Sequence, residues 1–455
     1  MGGGLMQLVA YGAQDVYLTG QPKVTFFQAV YKRHTNFAME NIQQTVNGTP
    51  TNGGRVSVTI ARNGDLVGNM YLALLPSGSG FAQYSTNNDK PDTCWIAERA
   101  IADVELTIGG QRIDKHYQTW FRLYAEVFLA ESDKISYGKL ASCAQTNNFD
   151  ASTNKTYVYL PLLFFFNRNP GLYLPLIALQ YHEVRLDFDL TSYYSSYFGS
   201  NALEVWANYV YLDTEERRRF AQKGHEYLIE QVQHTGGDAI SAASSTIRLS
   251  FNHPVKELIW CYSNTASSAN NSMWNFSTSC QNVNVTCGLN PAYGVGLMAH
   301  ETGVPRLFSS NINVTATTGM FSNLALGNTY WTEEGTNVAL AATGALAYEV
   351  GPLQNFKVIL NGQDRFKEQV GKYFNVYSPL VYHSGTPYPG IYNYSFALQP
   401  EEHQPTGTCN FSRIDNAQVA VNLKSSYTTP LQKMFAVNYN ILRIQTGMGG
   451  LAFSN

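Results

Sequence analysis

A few short clusters in this 455-residue chain combine residue types capable of chemistry. Gln180-Tyr181-His182-Glu183 sets an imidazole beside a carboxylate, the pairing used for proton transfer or metal ligation. Neighbouring residues of an extended chain point to opposite faces, so His182 and Glu183 do not converge on one site, and no HExxH spacing exists to bring such groups together on a helix. Glu401-Glu402-His403 offers two carboxylates and a second imidazole. Pro400 and Pro405 bracket them in a turn and no second ligand cluster accompanies them, so a hydrogen-bonded corner is the expected role. Gly447, Gly449 and Gly450 do not form GxGxxG and open no helix, which removes the reason to read a phosphate cradle. Cys94, Cys143, Cys261, Cys280, Cys287 and Cys409 form no CxxC pair, so neither a zinc ribbon nor a redox motif is present and folding in a reducing compartment is expected. With no GxSxG, Walker loop or HxH spacing either, no catalytic centre, metal or cofactor is expected.

The elements that would position these groups are mostly strands. Val56, Val58 and Ile60 alternate with Arg55, Ser57 and Thr59, and Val184, Leu186, Phe188 and Leu190 alternate with Glu183, Arg185, Asp187 and Asp189. Phe435, Val437, Tyr439 and Ile441 repeat the theme, and a period of two marks half-buried strands. Helices are expected only over His116–Ala130 and Thr214–Gln231, the second opening on an acidic turn. Pro161, Pro170 and Pro175 interrupt ladder pairing around the run Phe164, Phe165, Phe166, which reads as a buried aromatic plug.

Four strand signals recur in the same order in both halves. Thr59–Leu74 corresponds to Arg248–Tyr262, and Glu105–Ile113 to Lys357–Phe366, with Gly-Gly and Asn-Gly supplying the turns. The strands ending at Leu190 and Leu423, and those at Ala207–Leu212 and Phe435–Ile444, complete the repeat, whose halves meet near residue 213. The second copy carries roughly 60 extra residues within Ser263–Glu349, rich in Asn, Ser, Thr, Gly and Ala, the composition of a long exposed loop. Asn-x-Ser/Thr sequons begin at Asn47, Asn154, Asn270, Asn275, Asn284, Asn313, Asn393 and Asn410. Asn270, Asn275, Asn284 and Asn313 fall in the insertion and are the best glycan candidates.

Charged residues make up 14% of the chain, against ~25% in ordinary soluble proteins, while 30 Tyr and 24 Phe are present. Much surface is therefore expected to be buried against partners. A net charge of −3 provides no global basic field for nucleic acid. The basic clusters Lys23, Lys32, Arg33, His34 and Arg217, Arg218, Arg219 read as solvated surface or carboxylate partners. The first twenty residues lack the basic and long apolar regions of a secretory signal, Met6 breaks the myristoylation pattern, and no apolar run approaches the ~20 residues of a membrane span.

The segment LPLLFFFNRNPGLYLPLIALQYHEVRLDFDL (Leu160–Leu190) closely resembles the signature of the major capsid proteins of nucleocytoplasmic large DNA viruses. So do LMQLVAYGAQDVYLTG with YKRHTNFAMENIQQT, SFALQPEEHQPTGTCNFSRIDN and the ending YNILRIQTGMGGLAFSN, in order along both halves. The resemblance implies an all-β chain of two consecutive eight-stranded jelly-roll barrels with accessory helices and long loops. It places an N-terminal arm at residues 1–24, a first barrel at 25–212 and a second at 213–455 with the inserted loop 263–349. It implies no enzyme but a homotrimeric pseudo-hexagonal capsomer tiling an icosahedral shell, assembled in the host cytoplasm. The implied partners are further copies of the chain through lateral contacts between trimers, minor cement and penton proteins, and an internal membrane on the inner face; the extra length and polar composition of the loop make it the expected outward crown. Motif positions Asn169, Pro170, Gly171, Gln180, His182, Glu183, Pro400, Glu401 and His403 are then structural. The rival readings are a carbohydrate-binding sandwich, a cupin-like metal enzyme and a transient assembly scaffold.

Overall fold

The computed structural model describes residues 34–76, 95–141, 157–199, 203–240, 244–264, 276, 329–331, 337–339, 351–385, 387, 390–424 and 430–453. Besides a few strands of two or three residues, sixteen strands among the described residues divide into two sets of eight. The first set is β1 Phe37–Gln44, β2 Arg55–Thr59, β3 Leu66–Leu74, β4 Ile101–Ile108, β5 Gln111–Tyr117, β6 Val158–Pro161, β7 Val184–Leu190 and β8 Glu204–Leu212. The second is β9 His225–Ala239, β10 Ser244–Leu249, β11 Pro254–Asn264, β12 Leu353–Leu360, β13 Gln363–Asp364, β14 Ile391–Ser395, β15 Ala417–Leu423 and β16 Pro430–Gln445. A last strand, β17 Met448–Leu451, turns back on β16.

Strands β1-β8-β3-β6 form one sheet and β2-β7-β4-β5 the other; in the second set the orders are β9-β16-β11-β14 and β10-β15-β12-β13. Both sets thus have the order 1-8-3-6 facing 2-7-4-5, all antiparallel, which is the jelly-roll connection. The repeated sequence signals fall on equivalent strands. The hairpins β4–β5 and β12–β13 turn at Gly109-Gly110 and Asn361-Gly362, all four at positive φ, as a tight two-residue turn with the hand of the sheet requires.

The alternation in β2 and β7 holds for Val56, Val58, Leu186 and Phe188, which are buried, and for Arg55 and Arg185, which lie outside, but Asp187, read as outward, is buried beneath the two arginines that pair with it. Strand β16 departs further. Met434 and Ala436 fill the second barrel, whereas Phe435 and Val437, expected to face that core, pack on the first barrel. Both faces are therefore buried. Of the expected helices, the first begins only at Gln118, because His116 and Tyr117 still pair with β4; it forms α1, Gln118–Val127, followed by α2, Glu131–Ala141. The second, α3 Thr214–Gln222, stops before Gly224, and residues 225–231, expected to be helical, belong to strand β9. This linker helix buries no side chain, and two of its three arginines take carboxylate partners: Arg217 binds Asp65 at 2.9 Å and Arg218 binds Glu215 at 3.4 Å.

One hydrophobic cluster runs from Val56 and Phe188 through Trp120 to Phe435 and Val437, so the first barrel's core continues across the seam between barrels. A separate cluster around Trp260, stacked on Phe356 at 4.4 Å, fills the second barrel. The long connection of the second barrel joins β11 to β12, and its equivalent, residues 75–100, joins β3 to β4. The arm, most of the insertion and the sequons Asn154, Asn270, Asn275, Asn284 and Asn313 lie outside the described residues.

Candidate functional site

The residues singled out by sequence converge on the seam, arriving from three directions. After β6 the chain turns inward, and Phe164, Phe165 and Phe166 are all fully buried. Phe164 stacks on His116 at 4.5 Å, and His116 Nε2 lies 2.9 Å from Asp114 Oδ2. The other Asp114 oxygen accepts the Val232 N–H at 3.0 Å, so the aromatic plug orients a His–Asp pair that ties β5 to β9. Asn167 donates to the Gly68 carbonyl at 2.9 Å, and the Asn169 side chain accepts from Gly171 N–H at 2.9 Å around Pro170, a local turn that aims Arg168 across the seam. Pro161 and Pro175 do not break pairing as expected. They stand opposite Tyr71 and Leu66 in short rim strands, where a missing N–H costs nothing.

Arg168 meets Glu230 of β9 at 3.0 Å, and Glu230 also holds the enclosed Lys256 ammonium of β11 at 2.7 Å. Burial works against ionising Glu230, but Lys256 and Arg168 overcome it and hold its carboxyl below the ordinary range. His403 lies beside this triad; burial lowers its pKa, with Lys256 and Arg168 offsetting the pull of Glu230. Its neighbour Glu401 accepts from Ser384 N–H at 2.7 Å and from His383 Nδ1 at 3.3 Å, so the corner between Pro400 and Pro405 is indeed hydrogen-bonded, through Glu401. The fully enclosed His383 side chain also pairs with Glu257 at 3.0 Å and meets the Phe128 ring edge-on at 5.1 Å. Burial alone would deprotonate His383; Glu257 first, then Glu401, raises it instead to about 9. Sequence reading found neither His383, Glu257 nor the Arg168–Glu230–Lys256 triad, because no spacing links residues that only the seam brings together.

This arrangement sets a pH dependence. The His383 pKa lies above its ordinary 6.5, so its contribution is complete below that value and disappears as pH rises through about 9. Glu230 and Glu401 lie below their ordinary 4.5, so theirs is complete above that value and disappears on acidification. Glu98, which burial raises to about 7, loses its contribution as pH rises from 4.5 to 7, so stability to urea is expected to fall already across that range, and the loss of the His383 contribution to add up to ~3 kcal/mol between pH 6.5 and 9. His383→Gln should flatten the alkaline limb; an unchanged limb would remove His383 as its source.

The third approach is the chain end. Residues 180–183 are not strand, as the alternation suggested, but a bend before β7. Arg62 gathers the carbonyls of Leu179, Gln180 and His182 at 2.5, 2.8 and 3.2 Å. His182 Nδ1 lies 2.9 Å from the Gly449 carbonyl and 3.1 Å from its N–H, and Gly447 carbonyl accepts the Tyr181 N–H at 2.9 Å. A Cβ at Gly449 would stand 2.7 Å from Leu179, which explains glycine there by close approach. Glu183 is exposed and only its carbonyl is engaged, by Gly109 N–H at 2.9 Å, so His182 and Glu183 do not meet.

An open cleft of about 480 Å³ runs along the seam between Arg112, Lys115, Gln233 and His253. Its acid Asp114 is committed to His116 and Val232, and Lys115 to Asp103 at 3.1 Å. No group of three His, Cys, Asp or Glu among the described residues is placed to hold a metal. Burial pushes the seam-facing Cys261 thiol up to about 12, which leaves it unreactive. The His116–Asp114, Arg168–Glu230–Lys256, His383–Glu257 and His182–Gly449 contacts all bind parts of the same chain; what this geometry does is fasten two barrels.

Two family models match: the major capsid protein N-terminus over residues 25–213, and the large eukaryotic DNA virus major capsid protein over residues 216–450. The major capsid protein of Paramecium bursaria Chlorella virus 1 is 42% identical over 100% of both chains, and that of Phaeocystis pouchetii virus 39% identical over 100% of both. The chain belongs to the major capsid protein family of large eukaryotic DNA viruses. It is a structural capsid family, not an enzyme family. The solved structure of VP54 of PBCV-1 matches with TM-score 0.68 and 37% identity, over 95% of this chain and all of that one. The Faustovirus major capsid protein, 13% identical at TM-score 0.61 over 96% and 94%, shares the fold. The double jelly roll of this family is thus the arrangement described above.

Proposed function

We propose that this family member is the repeating unit of an icosahedral virion shell and acts as a homotrimeric, pseudo-hexagonal capsomer. The observation that carries the reading is the duplicated strand order: each chain presents two barrels of the same connection fixed side by side, so three chains supply six similar walls. A relative of 38% identity forms the subunit of the PBCV-1 virus capsid model. Lateral contacts between such trimers cover area, with minor cement and penton proteins filling gaps and an internal membrane meeting the inner face. The arm at residues 1–24 lies along the inner rim, and the 263–349 insertion, with Asn270, Asn275, Asn284 and Asn313 as glycan acceptors, forms the outer crown. Asn393 is excluded as an acceptor by complete burial, whereas Asn47 and Asn410 are exposed.

Light scattering of purified protein is expected to give about three times the 50.6 kDa chain mass, and negative-stain images should show hexagonal outlines. A monodisperse monomer at micromolar concentration would count against the capsomer.

A further inference from the structure

Three departures from regular backbone meet at the open cleft along the seam. In β5 the ladder to β4 slips between Leu106, opposite Asp114, and Thr107, opposite Arg112, so Ile113 has no residue across from it. In β9 the ladder to β16 slips between His234, opposite Phe435, and Gly237, opposite Lys433. An extra residue bends a strand and re-aims its side chains, and such bulges gather beside binding sites. The third departure is His253, in the turn between β10 and β11, at φ 64°. A residue with a side chain keeps this left-handed conformation only where its surroundings hold it. Here the Ser412 hydroxyl accepts the His253 N–H at 2.8 Å, and the His253 carbonyl accepts the Phe411 N–H at 3.1 Å.

The carboxylate and glutamine oxygens lining the cleft are already engaged. Asp114 takes His116 on one oxygen and the N–H groups of Lys115 and Val232 on the other. Gln233 Oε1 accepts the Asn252 N–H at 2.9 Å, and Gln111 Oε1 the Leu451 N–H at 3.1 Å. The donors are left over. Arg112 is exposed and has no carboxylate within ion-pair distance among the described residues. Lys115 gives one of its three donors to Asp103, and His253, only 9% exposed, makes no side-chain hydrogen bond among the described residues. A surplus of donors around one uncancelled cation suits an anion and gives a cation nothing to bind.

We infer that this cleft binds a phosphate or sulfate group, free or carried on a sugar-sized molecule, and holds it with Arg112, Lys115 and His253. Arg112 and Lys115 belong to β5 of the first barrel and His253 to the second, so the bound group bridges the barrels from the solvent side and stabilises the fold in step with its occupancy. The volume of about 480 Å³ leaves room for a carrier beside the oxyanion.

Calorimetric titration of the full chain with sodium phosphate, sodium sulfate and, at matched ionic strength, sodium chloride is the test. Phosphate and sulfate are expected to bind one per chain and to raise the melting temperature; chloride should do neither. Both oxyanions also strengthen burial in any protein, so the variants decide. Arg112→Gln should weaken binding about tenfold, as the loss of one charge-assisted hydrogen bond implies, and shrink the melting shift to what the general salt effect leaves. His253→Asn, which keeps a residue tolerant of the left-handed backbone, should weaken it as well. Arg218→Gln, at an exposed cation that does not line the cleft, should bind like the wild type. No heat beyond chloride, or an Arg112→Gln chain that binds undiminished, would overturn the inference. If His253→Asn does not fold, Arg112→Gln decides alone, since its side chain is exposed. Glucose 6-phosphate and glucose 6-sulfate then separate the sources: tighter binding than the inorganic ions supports a sugar-borne group, and equal binding supports the free ion.

Discussion

Replacing Glu230 with leucine is expected to cost about 3–5 kcal/mol, a large part of the ~5–15 kcal/mol that holds a typical domain folded. The carboxylate is the single anion between Arg168 at 3.0 Å and Lys256 at 2.7 Å, and the Lys256 side chain is 1% exposed. Without it an ammonium group stays enclosed, with the Tyr439 ring at 5.6 Å as its remaining favourable neighbour. Arg168 loses less, because it is partly exposed and keeps the Tyr124 ring at 5.7 Å. The penalty comes from the uncompensated cation, so Lys256→Met in the Glu230→Leu background should recover most of it. Urea unfolding of the two single variants and the double variant measures this coupling directly. Strictly additive losses would mean that the two charges do not depend on each other.

Phe165→Ala should cost a similar ~3–5 kcal/mol for a different reason. The ring is 1% exposed and meets Phe166 edge-on at 5.4 Å inside the cluster shared by both barrels, so its removal leaves a cavity that the surrounding sheets cannot close. Leu398→Ala, at a side chain 76% exposed, is the matched control and should change stability by no more than about 0.5 kcal/mol. Equal melting temperatures for the two variants would show that the aromatic run is not core.

The contrast between these two sites explains what was legible in the sequence. The aromatic run, the period-two strands and the Gly-Gly and Asn-Gly turns announce themselves locally, because strand pleat and turn sterics act over a few residues. The repeat of those signals was enough to place two barrels. The faces of β16 were not legible: Phe435 and Val437 are as apolar as core residues, yet they serve the neighbouring barrel. The triad draws its members from positions 168, 230 and 256, and His383 draws on 257 and 401, so nothing short of the tertiary arrangement joins them. The segment 180–183 read as strand because it shares the polar-apolar rhythm of β7, but its backbone is held by Arg62 and by the chain end.

That last clasp has a bearing on synthesis. Ile108, Leu179 and His182 of the first barrel find Gly447 and Gly449 only when residue 449 has left the ribosome, about 260 residues after β7, the last strand made of the sheet that carries Ile108. A nascent first barrel therefore waits with an open rim while the second barrel is synthesised. Chains interrupted before residue 447 should keep that rim exposed and enter chaperone or protease traffic, so the pool available for shell building is filtered before any two subunits meet.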